Sequence, residues 1–407
     1  AIVKPNSSQC HFPSKSLAGV GVAFYLMLAV RAKFRELGIF TAETQPNFTD
    51  LLDLVALGTI ADVVPLDQNN RILAYQGLMR VRARHCRLGI IALAEVANRN
   101  VEQFTSSDLG FCIGPRLNAA GRLDNMSIGV ELLLANEMSK ARELALDLDQ
   151  LNQTRKEIEA GMKLEAIKIC QNLTALFKEL PYGITLYQPD WHQGVLGIVS
   201  SRVKDQYHRP VIAFAQDNEG ILKGSARSIE GLHMRDVLER IHSQHPNMIL
   251  KFGGHAMAAG LSIREEHFAD FQHIFNQTVA DWLDEERLQG IIWTDGELNS
   301  NEFNLETAEL IKSVGTWGQG FPEPCFDGEF KILDQRAIGQ NKNHLKMLLE
   351  PKQGGVLLDA IAFNINTRLY PDLSIKQARL AYKLDINEFR GNRSLQLLVD
   401  YIEPIDE

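Results

Sequence analysis

The sequence predicts a multidomain α/β chain, and three observations carry that prediction. Its 407 residues exceed what one fold usually holds, so two or three domains are expected. The patterning changes along the chain, from three-and-four-residue apolar repeats, through strand–helix–strand order, to a β-rich tail. Hydrophobic residues make up 45% and charged residues 23%, which supports sizeable cores and excludes collagen, bulk disorder and a small disulfide scaffold.

The apolar spacing predicts helices over 16–38, 47–57, 71–84 and 88–98. Gly114 and Pro115 are read as a break, and helix resumes over 129–135. A long helix from Ser139 to about Leu173 carries a stripe of Leu144, Leu148, Leu151 and Ile158 between charges. It is expected to connect domains, because the repeat does not hold clean heptads. Pro181 opens a new domain. Strands are predicted at 184–187 and 210–215 with a helix over 197–207 between them, which implies a βαβ unit and a parallel pair. Further strands at 222–228, 249–252 and 258–263, and helices near 234–241 and 267–283, complete that domain. Five short strands follow, at 326–333, 344–349, 357–364, 377–385 and 394–402, and suit a small barrel of the oligonucleotide-binding (OB) type. The expected domains are therefore 1–135, a connector helix over 136–180, an α/β domain over 181–285 and a barrel domain over 286–407.

The longest apolar stretch, Leu17 to Val30, has fourteen residues, too few to span a membrane, and is read as a buried helix. Five scattered cysteines form no CxxC pair and are expected to be reduced thiols in a cytoplasmic protein. Net charge is −9, against a generally basic nucleic-acid binder. Locally the balance differs: residues 68–94 hold no acid but include Arg71, Arg80, Arg82, Arg84 and Arg87. These form either a basic face for a polyanion or an ordinary solvated helix face. The chain begins Ala-Ile-Val rather than with Met, and reads as if cut from something longer.

Several short segments could carry chemistry, each with a structural alternative. Asp62 is one carboxylate in the apolar run Gly58–Pro65. It is either a hydrogen-bonded structural aspartate or a ligand for a hard divalent cation. Arg116, Asn118 and Arg122, among glycines at 114 and 121, suit phosphate or form a structural turn. Ser225, Arg227 and Ser228 place hydroxyls and a guanidinium on one extended piece, for phosphate contact or as a solvated strand face. Gly253, Gly254 and His255 form either an anion nest or a tight turn between strands. His192 beside Trp191 could stack on a base or simply pack.

Together these residues resemble a known family. Leu-Leu-Asp-Leu-Val-Ala-Leu-Gly-Thr-Ile-Ala-Asp-Val-Val-Pro-Leu (51–66), Gly-Pro-Arg-Leu-Asn-Ala-Ala-Gly-Arg (114–122), Trp-His-Gln-Gly-Val-Leu-Gly-Ile (191–198) and Gly-Gly-His-Ala-Met-Ala-Ala-Gly (253–260) resemble the RecJ family. Its members are bacterial single-strand-specific DNA exonucleases of the DHH phosphoesterase superfamily. Residues 14–24 and Trp-Gly-Gln-Gly-Phe-Pro-Glu-Pro (317–324) fit as well, so the likeness covers essentially the whole chain.

The resemblance implies 5′-end-directed hydrolysis of single-stranded DNA by a metal-activated water. It implies a pair of Mn²⁺ or Mg²⁺ ions, with the metal and catalytic role falling on Asp62. Residues 1–135 would be the C-terminal part of a DHH catalytic domain, and 181–285 the DHH-associated domain that holds the nucleic-acid backbone. A single-strand-binding protein and a helicase are expected partners. Arg227, with its hydroxyl neighbours, Gly253, Gly254 and His255, is expected to hold backbone away from the cut, and Arg116 and Arg122 to sense the terminal phosphate. The sequence lacks Asp-His-His and the earlier aspartate motifs, so a fragment with one metal ligand of several, inactive alone, is expected. A non-catalytic single-strand-binding module and an oligonucleotide or dinucleotide phosphodiesterase are the alternative functions.

Overall fold

In a computed structural model the described residues are 3–7, 9–177, 179–217, 220–339, 342–363, 365, 373–389 and 391–405. They divide into two compact units, 1–114 with 292–407, and 115–291.

The first unit begins with helices α1 (Gly19–Glu36), α2 (Leu52–Ala61), α3 (Gln68–Arg82) and α4 (Leu88–Val96), close to where the apolar spacing puts them. The most enclosed is α4, with Ile90, Ile91, Ala92, Leu93 and Ala94 buried; in α2, Val55, Ala56 and Leu57 are buried. Asp67 caps α3 by accepting from the Asn70 N–H at 2.9 Å, a contact worth about 1 kcal/mol at such a position. Asp53 is fully buried yet satisfied: its oxygens accept from the N–H groups of Leu54 at 2.8 Å and Arg87 at 2.7 Å. The second of these bonds caps α4, which offers no capping side chain of its own.

The basic stretch is partly paired. Arg80 pairs with Asp50 at 2.6 Å, Arg82 donates to the Phe104 carbonyl at 2.6 Å, and Arg84 lies 3.9 Å from Glu102. The expected break at Gly114–Pro115 is not one. A short helix α5 (Ser106–Asp108) passes through a π-helical turn, Leu109–Ile113, into α6 (Gly114–Leu123). Pro115 directly follows that π-helical turn, in which the Gly114 N–H reaches back five residues to the Leu109 carbonyl, so the regular ladder is already broken where proline has no N–H to give.

The same unit contains α12 (Leu305–Val314), which the sequence reading missed, capped by Asn304 through the Thr307 N–H at 2.8 Å. It precedes a closed barrel of β6 (Phe326–Ile338), β7 (His344–Pro351), β8 (Leu358–Ala362), β9 (Gln377–Phe389) and β10 (Asn392–Pro404). The order β10-β8-β7-β6-β9 closes through β9–β10, with β8 and β10 parallel. The five expected strands are all present; residue 364, at the end of one of them, lies outside the described residues. Register shifts between Ile332 and Asp334 in β6 and between Val399 and Tyr401 in β10 interrupt the alternation, and β6, β9 and β10 run longer than the pattern suggests.

The second unit continues from α6 into α7 (Ser127–Leu134) and α8 (Met138–Phe177), a single helix of 40 residues. Its five-stranded sheet has the order β1-β2-β3-β5-β4, from β1 (Ile184–Tyr187), β2 (Val211–Gln216), β3 (Ile221–Arg227), β4 (Ile249–Gly254) and β5 (Ala258–Arg264). β1 and β2 are parallel across α9 (Leu196–Tyr207), the predicted βαβ unit, and the remaining pairs are antiparallel. Alternation along β2 fixes two cores. Val211, Ala213 and Ala215 pack with α9 and with Met162, Ala166 and Cys170 of α8. Ile212 and Phe214 pack with α10 (Met234–Gln244) and α11 (Phe268–Ala280). The later half of α8 is thus part of this domain's core, where the sequence suggested only a connector.

Candidate nucleic-acid interface

The first turn of α9 is where several of the candidate side chains meet. Trp191, His192, Gly194 and Gly197 each serve it differently. Trp191 is 4% exposed, and its indole N–H donates to Glu165 of α8 at 2.7 Å. It anchors the loop from inside, the placement that the packing alternative for Trp191 describes. His192 stays exposed, and its Nδ1 accepts from the Gly194 N–H at 3.1 Å, capping the 3₁₀ turn Gln193–Val195 that leads into α9.

Two arginines close on this turn. Arg122 donates from Nη1 to the Gly194 carbonyl at 3.0 Å. A Cβ at Gly194 would lie 2.2 Å from the Arg122 carbonyl oxygen, so only glycine admits this approach. Arg227, at the end of β3, donates from Nη1 to the Ala226 carbonyl at 2.8 Å and to Ser225 Oγ at 3.2 Å. A Cβ at Gly197 would meet Arg227 Nη2 at 2.6 Å and Ser225 Oγ at 3.0 Å, so both polar groups lie directly against the helix's first turn. Ser200, one turn on, donates to the Ser225 carbonyl at 2.8 Å and ties β3 to α9.

Electrostatically the cluster is one-signed. Burial, and then the neighbouring Arg122, hold the Arg227 pKa below the ordinary guanidinium value. Burial likewise lowers Arg155 of α8; Glu159 pulls it back up, and Arg122 and Arg202 lower it again. Glu159 is occupied by Arg155 at 3.3 Å and Arg202 at 2.9 Å. Arg122 and Arg227 bond only carbonyl and hydroxyl oxygens, and neither has a carboxylate partner among the described residues. Two unpaired guanidiniums at the positive end of a helix dipole form a site that an anion with several oxygens would stabilise.

The other expected residues distribute as follows. Arg116 does not join Arg122: its Nε donates to Asp149 at 2.7 Å, and its side chain is only 13% exposed. The grouping of Arg116 with Arg122, apart from Arg227, is therefore corrected to Arg122 with Arg227. Six residues, well over one turn of α6, separate Arg116 from Arg122, and their partners differ. Asn118 is exposed on the same helix. Ser228 is buried and its Oγ donates to the Leu232 carbonyl at 2.7 Å, so it is corrected to a structural residue. Gly253 and Gly254 end β4 and His255 follows in the turn to β5, where its N–H donates to the Ala258 carbonyl at 2.8 Å. Ala258 is the register partner of Arg227, which puts this hairpin at the same end of the sheet. Gly254 has φ +146°, and a Cβ there would lie 2.5 Å from the Ala258 oxygen. β4 is an edge strand, and Gly253 and His255 are exposed on it.

Asp62 belongs to the first unit. The sequence reading placed it as a buried carboxylate in need of a partner; it is instead the exposed C-cap residue of α2, followed by Val63 at φ +54°. An acid at the negative end of a helix dipole gains nothing structurally. Its oxygens suit a hard divalent cation, but no group of three or more His, Cys, Asp or Glu among the described residues could hold a metal ion. Among the described residues Asp62 therefore stands alone and no metal site surrounds it.

Sequence reasoning missed Gly194, Gly197, Arg155 and Asp149. The glycine spacing in 191–198 and the Arg155–Glu159 pair at i, i+4 were the available signals. No helix among the described residues is long and apolar enough to cross a membrane.

Comparison with known proteins bears on the whole chain. Residues 176–281 match the family described as DHHA1 domain and residues 294–401 the family described as RecJ OB domain. The single-stranded-DNA-specific exonuclease RecJ of Haemophilus influenzae is 98% identical over all 407 residues, which cover 71% of that protein. The Escherichia coli protein of the same name is 59% identical over the whole chain, covering 70% of its length. The crystal structure of Thermus thermophilus RecJ with Mg²⁺ superposes with a TM-score of 0.76 at 26% identity, over 98% of this chain and 57% of that one. The same protein has been solved with Mn²⁺.

Proposed function

Because the chain belongs to the RecJ family of single-stranded-DNA-specific exonucleases, we propose that it forms the strand-holding and end-recognising part of such an enzyme. The enzyme hydrolyses phosphodiester bonds from the 5′ end. The observation that carries this reading is the unpaired Arg122–Arg227 cluster at the first turn of α9.

In this reading a terminal 5′ phosphate sits on that cluster. Arg122 and Arg227 supply charge and Ser225 a hydroxyl, beside the positive end of the α9 dipole. A terminal phosphate carries more charge and more free oxygens than an internal phosphodiester, so the site selects an end. Gly253, Gly254 and His255, at the same end of the sheet, hold backbone farther along, and His192 and Asn118 line its exposed approach. Asp62 is the acid this stretch brings to the chemistry. Asp62 would hold divalent metal together with further ligands, and the metal would supply activation of an attacking water. The barrel over 326–404 takes the strand beyond the cut, as OB folds do. The reading implies a cytoplasmic setting, with a single-strand-binding protein and a helicase presenting the strand.

The test is a labelled single strand with Mn²⁺. The chain alone binds it, with a log–log salt slope of roughly −0.7 per phosphate contacted, and releases little nucleotide. A full-length exonuclease containing this stretch loses turnover with Asp62→Ala. Robust turnover by the chain alone, or salt-independent binding, overturns the proposal.

A further inference from the structure

The segment Trp317–Phe321 has no part in the site described above, yet it touches the turn that carries Asp62. Gly318 and Phe321 exchange backbone hydrogen bonds of 2.9 and 3.1 Å, closing a tight turn with Gly320 at φ +69°. The carbonyl at its apex, Gln319, accepts from the Leu66 N–H at 2.7 Å. Leu66 is 3% exposed, and a Cβ on Gly318 would lie 2.7 Å from its Cδ1, so the glycine leaves the room that the leucine fills. The Arg71 guanidinium lies 4.1 Å from the centroid of the Phe321 ring, whose other contact is Trp317, stacked at 5.1 Å and 22°. Trp317 is fixed in turn: its indole N–H donates to the Ile311 carbonyl of α12 at 3.1 Å, and Ser106 Oγ donates to its carbonyl at 2.7 Å.

From the opposite side the same turn is held by Asn70, fully buried, whose Nδ2 donates to the carbonyls of Pro65 and Ser16 at 2.9 Å each. Residues 63–67 are thus gripped at Pro65 and Leu66 from two directions. Asp62 itself, four residues before Leu66, makes no hydrogen bond or ion pair through its carboxylate among the described residues. Its position is set by the backbone on either side: α2 before it, and the gripped turn after it.

We propose that Gln319, Phe321 and Arg71 are positioning residues: the Trp317–Phe321 turn clamps Leu66, and through it fixes Asp62. The inference rests on the exonuclease reading above, in which Asp62 serves the chemistry. In sequence the clamp lies between α12 and β6, the first strand of the barrel. Displacing a reacting group by about 1 Å costs up to on the order of a hundredfold in rate, which leaves a clamp of this kind a large effect to exert.

The experiment uses a full-length exonuclease containing this stretch, with Phe321→Ala, Phe321→Tyr, Arg71→Met and Asp62→Ala, and measures kcat, strand Kd and hydrogen exchange at the Leu66 amide. Phe321→Ala is expected to lower kcat about ten- to a hundredfold with Kd changed by less than about twofold, and to speed Leu66 exchange. Phe321→Tyr restores both readouts, since the ring remains. Arg71→Met gives a smaller drop of the same kind, and decides the matter if Phe321→Ala fails to fold. Wild-type kcat in the folded clamp variants, or equal losses in kcat and affinity, overturns the clamp. Full activity in Asp62→Ala overturns instead the reading it rests on, and unchanged Leu66 exchange in Phe321→Ala shows that no clamp exists.

Discussion

Replacing Arg227 with methionine separates a binding role from a structural one. Methionine keeps an apolar stem against the first turn of α9 but removes the guanidinium. Arg227 and Arg122 repel each other, both lack a carboxylate, and burial already disfavours the charge on Arg227. The folded chain therefore loses little: two hydrogen bonds, to the Ala226 carbonyl and Ser225 Oγ, against relief of a like-charge contact. Stability should stay within about 1 kcal/mol of wild type, or rise. Strand binding should fall by about 1.5–3 kcal/mol, roughly 10- to 150-fold, the cost of one hydrogen-bonded charged contact. The salt slope should shrink by about 0.7 as one phosphate contact is lost. Denaturant melts and anisotropy titrations at several salt concentrations measure all three. A variant that is clearly destabilised while binding is untouched would refute the argument, because it would make Arg227 a packing residue.

Three further outcomes are expected. Arg116→Ala should cost stability and not 5′-phosphate preference: its ion pair with Asp149 is largely enclosed on the arginine side and 37% exposed on the other, so about 1–3 kcal/mol is expected by denaturant titration, below the cost for a fully buried pair. Trp191→Phe should lose about 1 kcal/mol of stability with its Glu165 bond and leave strand affinity unchanged, which a melt and a titration would check together. The Cys170 thiol, pushed up to about 12 by burial, should resist alkylation at neutral pH in the native chain and react once it is unfolded, since only the thiolate is nucleophilic; rapid native labelling would count against its burial.

The fold was legible where periodicity is strong. α1 to α4, the βαβ unit around α9 and the five barrel strands follow from apolar spacing and turn residues. The Gly114–Pro115 break failed because a π-helical turn lets the helix run on through proline, and local spacing does not announce such a turn. α12 escaped because a ten-residue amphipathic helix lies among β-rich neighbours. At the site, residue types were legible but their company was not. Arg116 and Arg122 share one motif, yet Asp149 takes the first and the Gly194 carbonyl the second. Ser228 adjoins Arg227 but turns into the core to reach Leu232. Such partners come from α8, α9 and the sheet, and no local spacing encodes them.

The central claim is that the guanidinium pair at the head of α9 recognises the end of a single strand. Its most direct test is a titration of the chain with one oligonucleotide carrying either a 5′ phosphate or a 5′ hydroxyl, repeated with Arg122→Met and with Arg227→Met. The account predicts tighter binding of the phosphorylated strand, weakening as salt rises, with each substitution erasing most of the difference. Equal affinity for the two strands in the wild-type chain, or a preference that survives both substitutions, would contradict it.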